Sequence, residues 1–203
     1  MNRAYFTSQS RRSRSAFIAS FLAFAISLAV APAHAQLVKI STDSFHNSYS
    51  QHKTEVEPDT YSWGSTMVAA FQVARVDDGG GADIGFATST DSGTTWTYGS
   101  LPGLTVNYKN GPNSAASDAS VVYDAKHGVW LICTLPIGNS GDNVAVSRST
   151  DGLHWDKPVM IDSSGGDDKN WITCDNTTTS PHYGNCYTEW DEPDSNDEIF
   201  MST

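Results

Sequence analysis

Two stretches of this chain spell nearly the same hairpin at an offset of 60 residues: Ala82 to Trp96 reads ADIGFATSTDSGTTW, and Asp142 to Trp155 reads DNVAVSRSTDGLHW. Ile84 falls on Val144, Phe86 on Val146, and Ser89-Thr90-Asp91 on Ser149-Thr150-Asp151. A repeat of this kind constrains the fold strongly, because each unit must bury its apolar face against its neighbour. Upstream of each hairpin lies another apolar run, TMVAAFQV in the first unit and GVWLICTL in the second, and before those EVEPD and SDASVVYD. A third unit begins DDKNWITCD, continues GNCYTEWDE and reaches DEIFMST, which sets Ile199 against Ile84 and Val144.

Short runs rich in Val, Ile, Trp, Tyr and Phe, separated by Gly, Asp, Asn, Ser and Pro, are the pattern of an all-β chain. Three or four such strands fill each unit of about 55–60 residues, somewhat longer than the familiar propeller repeats. Four-stranded units repeated about an axis make a β-propeller, here two blades and part of a third. A row of sandwich domains is the alternative, but it would not need the same hairpin in every unit. The last residue, Thr203, falls one place before the position where Ser89 opens the hairpin motif. The chain is therefore expected to be an N-terminal fragment, inactive alone, continuing as S-x-D-x-G, or the shorter form, and then Trp.

The motif has a physical reading. Ser89 and Asp91, like Ser149 and Asp151, offer oxygens that accept from backbone N–H groups in a tight turn. Gly93 and Gly152 tolerate positive φ. Trp96 and Trp155 supply large apolar plugs between units.

Residues 1–35 read as a secretory leader. Arg3, Arg11, Arg12 and Arg14 precede the apolar run Ala16 to Val30, and Ala33 and Ala35 form an A-x-A site with cleavage after Ala35. The run is short for a membrane span, which needs about 20 residues, so cleavage is expected over an uncleaved anchor. Residues 36–54 form a lead segment and 55–203 the repeat region. Loss of the leader leaves 8 basic against 23 acidic residues, a net charge of −15. That balance repels phosphates and argues against nucleic acid and anionic membranes as partners. A secreted or periplasmic location is expected, with no membrane association after cleavage. In that oxidising setting Cys174 and Cys186, which flank a turn between two strands, are expected to pair, leaving Cys133 as a core thiol.

The residues STDSGTTW (Ser89 to Trp96) and STDGLHW (Ser149 to Trp155) resemble the Asp-box, or BNR repeat, of the sialidase superfamily of β-propellers. The resemblance extends over roughly Glu55 to Thr203. It implies that Ser89, Asp91, Gly93, Trp96, Ser149, Asp151, Gly152 and Trp155 are structural, at the blade periphery. It also implies a glycoside hydrolase of exo-α-sialidase type acting on glycan termini, with a carbohydrate or glycoprotein as partner. Sialidases of the family clamp a carboxylate with three arginines and use a tyrosine nucleophile paired with a glutamate, together with an aspartate acid/base. Here the segment after the leader holds only Arg75 and Arg148, and SFHNSYSQHKTEVEPD stands where the family's R-I-P element belongs. Arg75 is the candidate substrate contact, with Gln72 where the family has a glutamate; Arg148 reads as a surface strand residue. A non-catalytic propeller that binds glycans or proteins is the alternative.

The repeat supplies a second set of candidates. Glu57, Asp118 and Asp168 each open a unit's first strand, and such strand starts converge near a propeller's central channel, where carboxylates act as general acid or base or hold a cation. The acidic loop Asp162 to Asn170, with Asp175 behind it, offers oxygens to Ca²⁺, as does Val76 to Asp83, but neither has the spacing of a Ca²⁺-binding loop. No cofactor is expected on sequence grounds, and no spacing names a metal. H-E-x-x-H, P-loop and G-x-S-x-G motifs are absent.

Overall fold

The computed structural model describes residues 37–203 apart from 78, 140, 194 and 195. The expected leader lies outside the described residues. Twelve strands follow: β1 (Ser50–Trp63), β2 (Thr66–Val76), β3 (Gly81–Ser89), β4 (Thr97–Ser100), β5 (Ala115–Asp124), β6 (Val129–Gly138), β7 (Gly141–Asp142), β8 (Val144–Ser149), β9 (Val159–Asp162), β10 (Asp168–Cys174), β11 (Cys186–Glu192) and β12 (Glu198–Ser202). No α-helix occurs among the described residues, and none is long and apolar enough to cross a membrane.

Antiparallel pairing runs β1-β2-β3-β4, then β5-β6-β8-β9, then β10-β11-β12. A single bridge, Gly81 to Ala116, links the first two meanders, and the two-residue β7 extends the hairpin of β6. The chain thus folds as part of a β-propeller: two four-stranded blades and three strands of a third. The first blade begins at Ser50, five residues before the start expected from sequence, because β1 continues upstream across two irregularities in its pairing with β2. Ile40 and Phe45 of the lead segment pack on the outer face of β2 and β3.

Alternation along the strands decides which blade faces which. On β2 and β3, Val68, Ala70, Ile84 and Phe86 point toward the second blade, where Trp130, Ile132 and Trp155 meet them. On β6 and β8, Leu131, Cys133, Val144 and Val146 point the other way and meet Ile172 and Trp190 of the third. Fully burying a side chain of this size contributes about 1.5–3 kcal/mol. The corresponding face of β12 carries Ile199 and Met201, which are 71% and 62% exposed.

The motif hairpins close as their chemistry requires. Ser89 Oγ donates to Asp91 Oδ1 (2.8 Å) and accepts from Gly93 N (2.8 Å), while Asp91 accepts from Thr95 N (2.8 Å) and Thr95 Oγ1 (2.6 Å). In the second hairpin, Asp151 accepts from Leu153 N and His154 N (both 2.8 Å) and meets His154 Nδ1 at 2.7 Å, so His154 fills the place of Thr95. Trp96 and Trp155 donate from Nε1 to the glycine carbonyls at 3.1 and 3.2 Å. The two indoles then part company. Trp155 is buried between blades, 5.8 Å from the Phe86 ring, whereas Trp96 is half-buried on the outer face of its own blade. Gly152, at φ 73°, carries its carbonyl to Thr88 Oγ1 (2.5 Å), and a Cβ there would come within 3.0 Å of Val68.

Cys174 and Cys186 are Cα partners across β10 and β11 and are joined in a disulfide. Cys133 is fully buried beside Thr188 (3.1 Å), and burial pushes its thiol up to about 11.

Candidate functional site

Every blade's first strand carries the same defect. Pairing slips between Val56 and Asp59 in β1, between Ser117 and Ser120 in β5, and between Asp168 and Trp171 in β10. At each slip one residue adopts a left-handed backbone: Glu57 (φ 51°), Asp118 (φ 46°) and Lys169 (φ 48°). None of the three is glycine, so each bulge costs on the order of 1–3 kcal/mol and persists because its surroundings enforce it. Bulges re-aim side chains, and these three line one cavity of about 260 Å³, together with Pro58, Asp59, Ala119, Asn170 and Trp171.

The first strands also clamp one another with a repeated hydrogen bond. Asp59 Oδ2 accepts from Val121 N (2.8 Å), and Ser120 Oγ accepts from Ile172 N (3.3 Å). In both cases the acceptor stands two residues after the bulge and the donor three after the next bulge. The third equivalent position is Trp171, which is 45% exposed at the cavity.

Side chains link the bulges into one network. Gln72, buried on β2, donates from Nε2 to Glu57 Oε2 (2.8 Å) and to Ser117 Oγ (3.0 Å). Ser117 in turn donates to Asp118 Oδ1 (2.6 Å), and Asp118 Oδ2 lies 3.8 Å from Lys169 Nζ. Arg75 reaches Glu57 at 3.9 Å with both partners about half exposed, a pairing of small energetic value. Gln72 Oε1 is buried without a hydrogen-bond partner. The arrangement offers two carboxylates, each held by donors, an ammonium group and an aromatic face around a small polar cleft.

Sequence reasoning is corrected at one member of its acidic trio. Glu57 and Asp118 share the cavity, but Asp168 does not: Lys169 fills the third equivalent position. Asp168 accepts from Lys169 N (2.8 Å) and lines a separate opening with Asp142 and Asp167. The physical reason is register: Asp168 is the last paired residue before its bulge, equivalent to Val56 and Ser117, whereas Glu57 and Asp118 are the bulge residues themselves. Nor do Glu57 and Asp118 open their strands; they sit inside β1 and β5, because pairing resumes upstream of each bulge. Gln72, Ser117, Lys169 and Trp171 were not proposed as site residues. For Ser117, Lys169 and Trp171 the pointer is the aligned bulges; Gln72 is marked in sequence only as standing in place of a glutamate.

The eight motif residues lie at the β3–β4 and β8–β9 turns, and none lines the cavity. Arg148 lines a wider opening of about 610 Å³ with Asp124, His127 and Cys186. That opening holds one carboxylate, already bonded to His127, and none of the bulge residues.

No family model and no curated protein sequence matches the chain. Among solved structures it is similar to a glycosyl hydrolase from Bacteroides ovatus, at 16% identity over 75% of this chain and 46% of that one, with a TM-score of 0.49. It is similar to an α-L-arabinofuranosidase from Podospora anserina, at 16% identity over 73% and 45% of the two chains, TM-score 0.45. A β-1,2-mannobiose phosphorylase from Listeria innocua is similar at 12% identity over 77% and 42%, TM-score 0.45. The chain spans a little under half the length of these three structures. Likenesses of this size assign no activity.

Proposed function

We propose that this chain belongs to an exported, carbohydrate-active β-propeller of glycoside-hydrolase type, whose axial cavity holds the end of a glycan. The observation that carries the reading is the set of three left-handed, non-glycine bulge residues, Glu57, Asp118 and Lys169, around one cavity. Strain of this kind concentrates at ligand and catalytic sites. Glycosidic hydrolysis needs two carboxyl groups flanking the scissile bond, one to protonate the leaving oxygen and one to act as base or nucleophile. Glu57 and Asp118 supply such a pair, and the Trp171 ring offers an apolar face to a sugar ring. An exo-acting sialidase is the finer reading, supported by the two Asp-box hairpins; the Lys169 ammonium and Arg75 are the cations available to a carboxylated sugar.

The second reading is a non-catalytic glycan-binding propeller. It is favoured by Lys169, a cation that occupies the third bulge position and lies 3.8 Å from Asp118. Release of chromophore by the intact protein from aryl glycosides, including a sialoside, an arabinofuranoside and a mannoside, separates the two. Turnover of one of them, lost at least a hundredfold in Asp118→Asn, is the result expected of a hydrolase. Binding without turnover across the panel would leave the second reading standing.

A further inference from the structure

Asp167 differs from the other buried carboxylates of the molecule. It is 1% exposed, and neither oxygen receives a hydrogen bond from an N–H or hydroxyl group of the described residues; its side-chain neighbour at hydrogen-bond range is another carboxylate, Asp162. By contrast, buried Asp83 accepts from Ile84 N (2.7 Å) and from Thr105 Oγ1 (3.1 Å). No lysine or arginine lies within salt-bridge reach of Asp167 among the described residues. A buried carboxylate without donors is costly unless a cation stands beside it.

Two further carboxylates face it. One oxygen each of Asp162, Asp167 and Glu192 lies within 4.8 Å of the others, a spacing that a cation holding oxygens at about 2.4 Å can bridge. They come from different parts of the fold: Asp162 ends β9 in the second blade, Glu192 ends β11 in the third, and Asp167 stands just before β10. Their positions are set by the backbone. Asp167 N donates to Asp142 O (3.2 Å), and Ser164 donates to Asp162 Oδ2 from N (2.7 Å) and from Oγ (2.5 Å), with Oγ also 3.5 Å from Glu192 Oε1.

We propose that Asp162, Asp167 and Glu192 form a calcium site that fastens the second blade to the third. An all-oxygen, all-carboxylate set selects a hard cation over zinc or copper. Ca²⁺ accepts irregular cages of protein oxygens, whereas Mg²⁺ demands a near-ideal octahedron and keeps most of its water. The glycine-rich connection between Asp162 and Asp167 allows the two carboxylates to adjust to the ion. Sequence spacing could not reveal the set, because Glu192 arrives from another strand. None of the three residues lines the Glu57–Asp118 cavity, so the proposal stands or falls apart from the glycan reading.

The test uses the full chain, stripped with chelator and dialysed, in calorimetric titration and thermal melting with calcium chloride. Saturable binding and a rise in Tm of several degrees are expected at about 5 mM Ca²⁺, above the affinity range of extracellular calcium modules. Asp167→Asn should abolish both without lowering the metal-free Tm, since it removes an unpaired buried charge, and Glu192→Gln should weaken binding at least tenfold. A flat titration with unchanged Tm would overturn the proposal. So would an undiminished calcium response in Asp167→Asn, or a magnesium response equal to that of calcium.

Discussion

At the scale of single residues, the turn of the hairpin motif was legible in sequence because its chemistry is local, but the place of Trp96 was not: expected between units, it packs on the outer face of its own blade. Ser89, Asp91 and Gly93 satisfy one another within a few residues, and Ser149, Asp151 and Gly152 repeat the arrangement. The Thr95 hydroxyl above all, with Thr95 N and Ser89, lowers Asp91 to about 2. In Asp151 burial opposes the same donors, but hydrogen bonds from His154, Leu153 and Ser149 win and hold it below the usual carboxylate range. A carboxylate lowered on folding stabilises the native state above its unfolded value near 4, and that contribution is lost as pH falls through the folded value. Thermal melts should therefore show Tm dropping between pH 4 and pH 2, with a shallower drop in Asp91→Asn. An identical pH profile in the variant would contradict this role. Asp83 was read only as the end of an acidic loop, since the structure that buries it beside Thr105 joins residues 22 apart in the chain.

At the scale of elements, sequence located the strands but not their irregularities. Alternation and turn residues mark β2, β3, β6 and β8, whose partners lie close in sequence. A bulge leaves no such mark, because it is fixed by how two strands pair. Hence Glu57 and Asp118 were found as repeated acids, while Lys169 was passed over for the neighbouring Asp168. The three bulges also conflict with local preference, since glycine fits a left-handed backbone best. Lys169→Gly should relieve that strain and stabilise the protein by about 1 kcal/mol, measured by chemical denaturation. Glycan affinity should fall in the same variant. A loss of stability would mean that Lys169 contributes more through its contacts than its backbone costs.

At the scale of the whole molecule, the 60-residue repeat was enough to predict blades, because only stacked sheets bury both faces of strands such as β2 and β6. The lateral order of the blades followed from structure alone. Contacts such as Phe86 with Trp155, and Asp59 with Val121 N, join residues more than 60 apart. The same stacking brings β1, β5 and β10 side by side and turns three strained positions into one cleft. Whether that cleft binds carbohydrate is the central claim, and calorimetric titration of the protein and two variants with a glycan panel tests it most directly. At least one glycan should bind the unaltered chain, with affinity reduced tenfold or more in both Asp118→Asn and Trp171→Ala. A glycan held equally well by all three proteins would contradict the account.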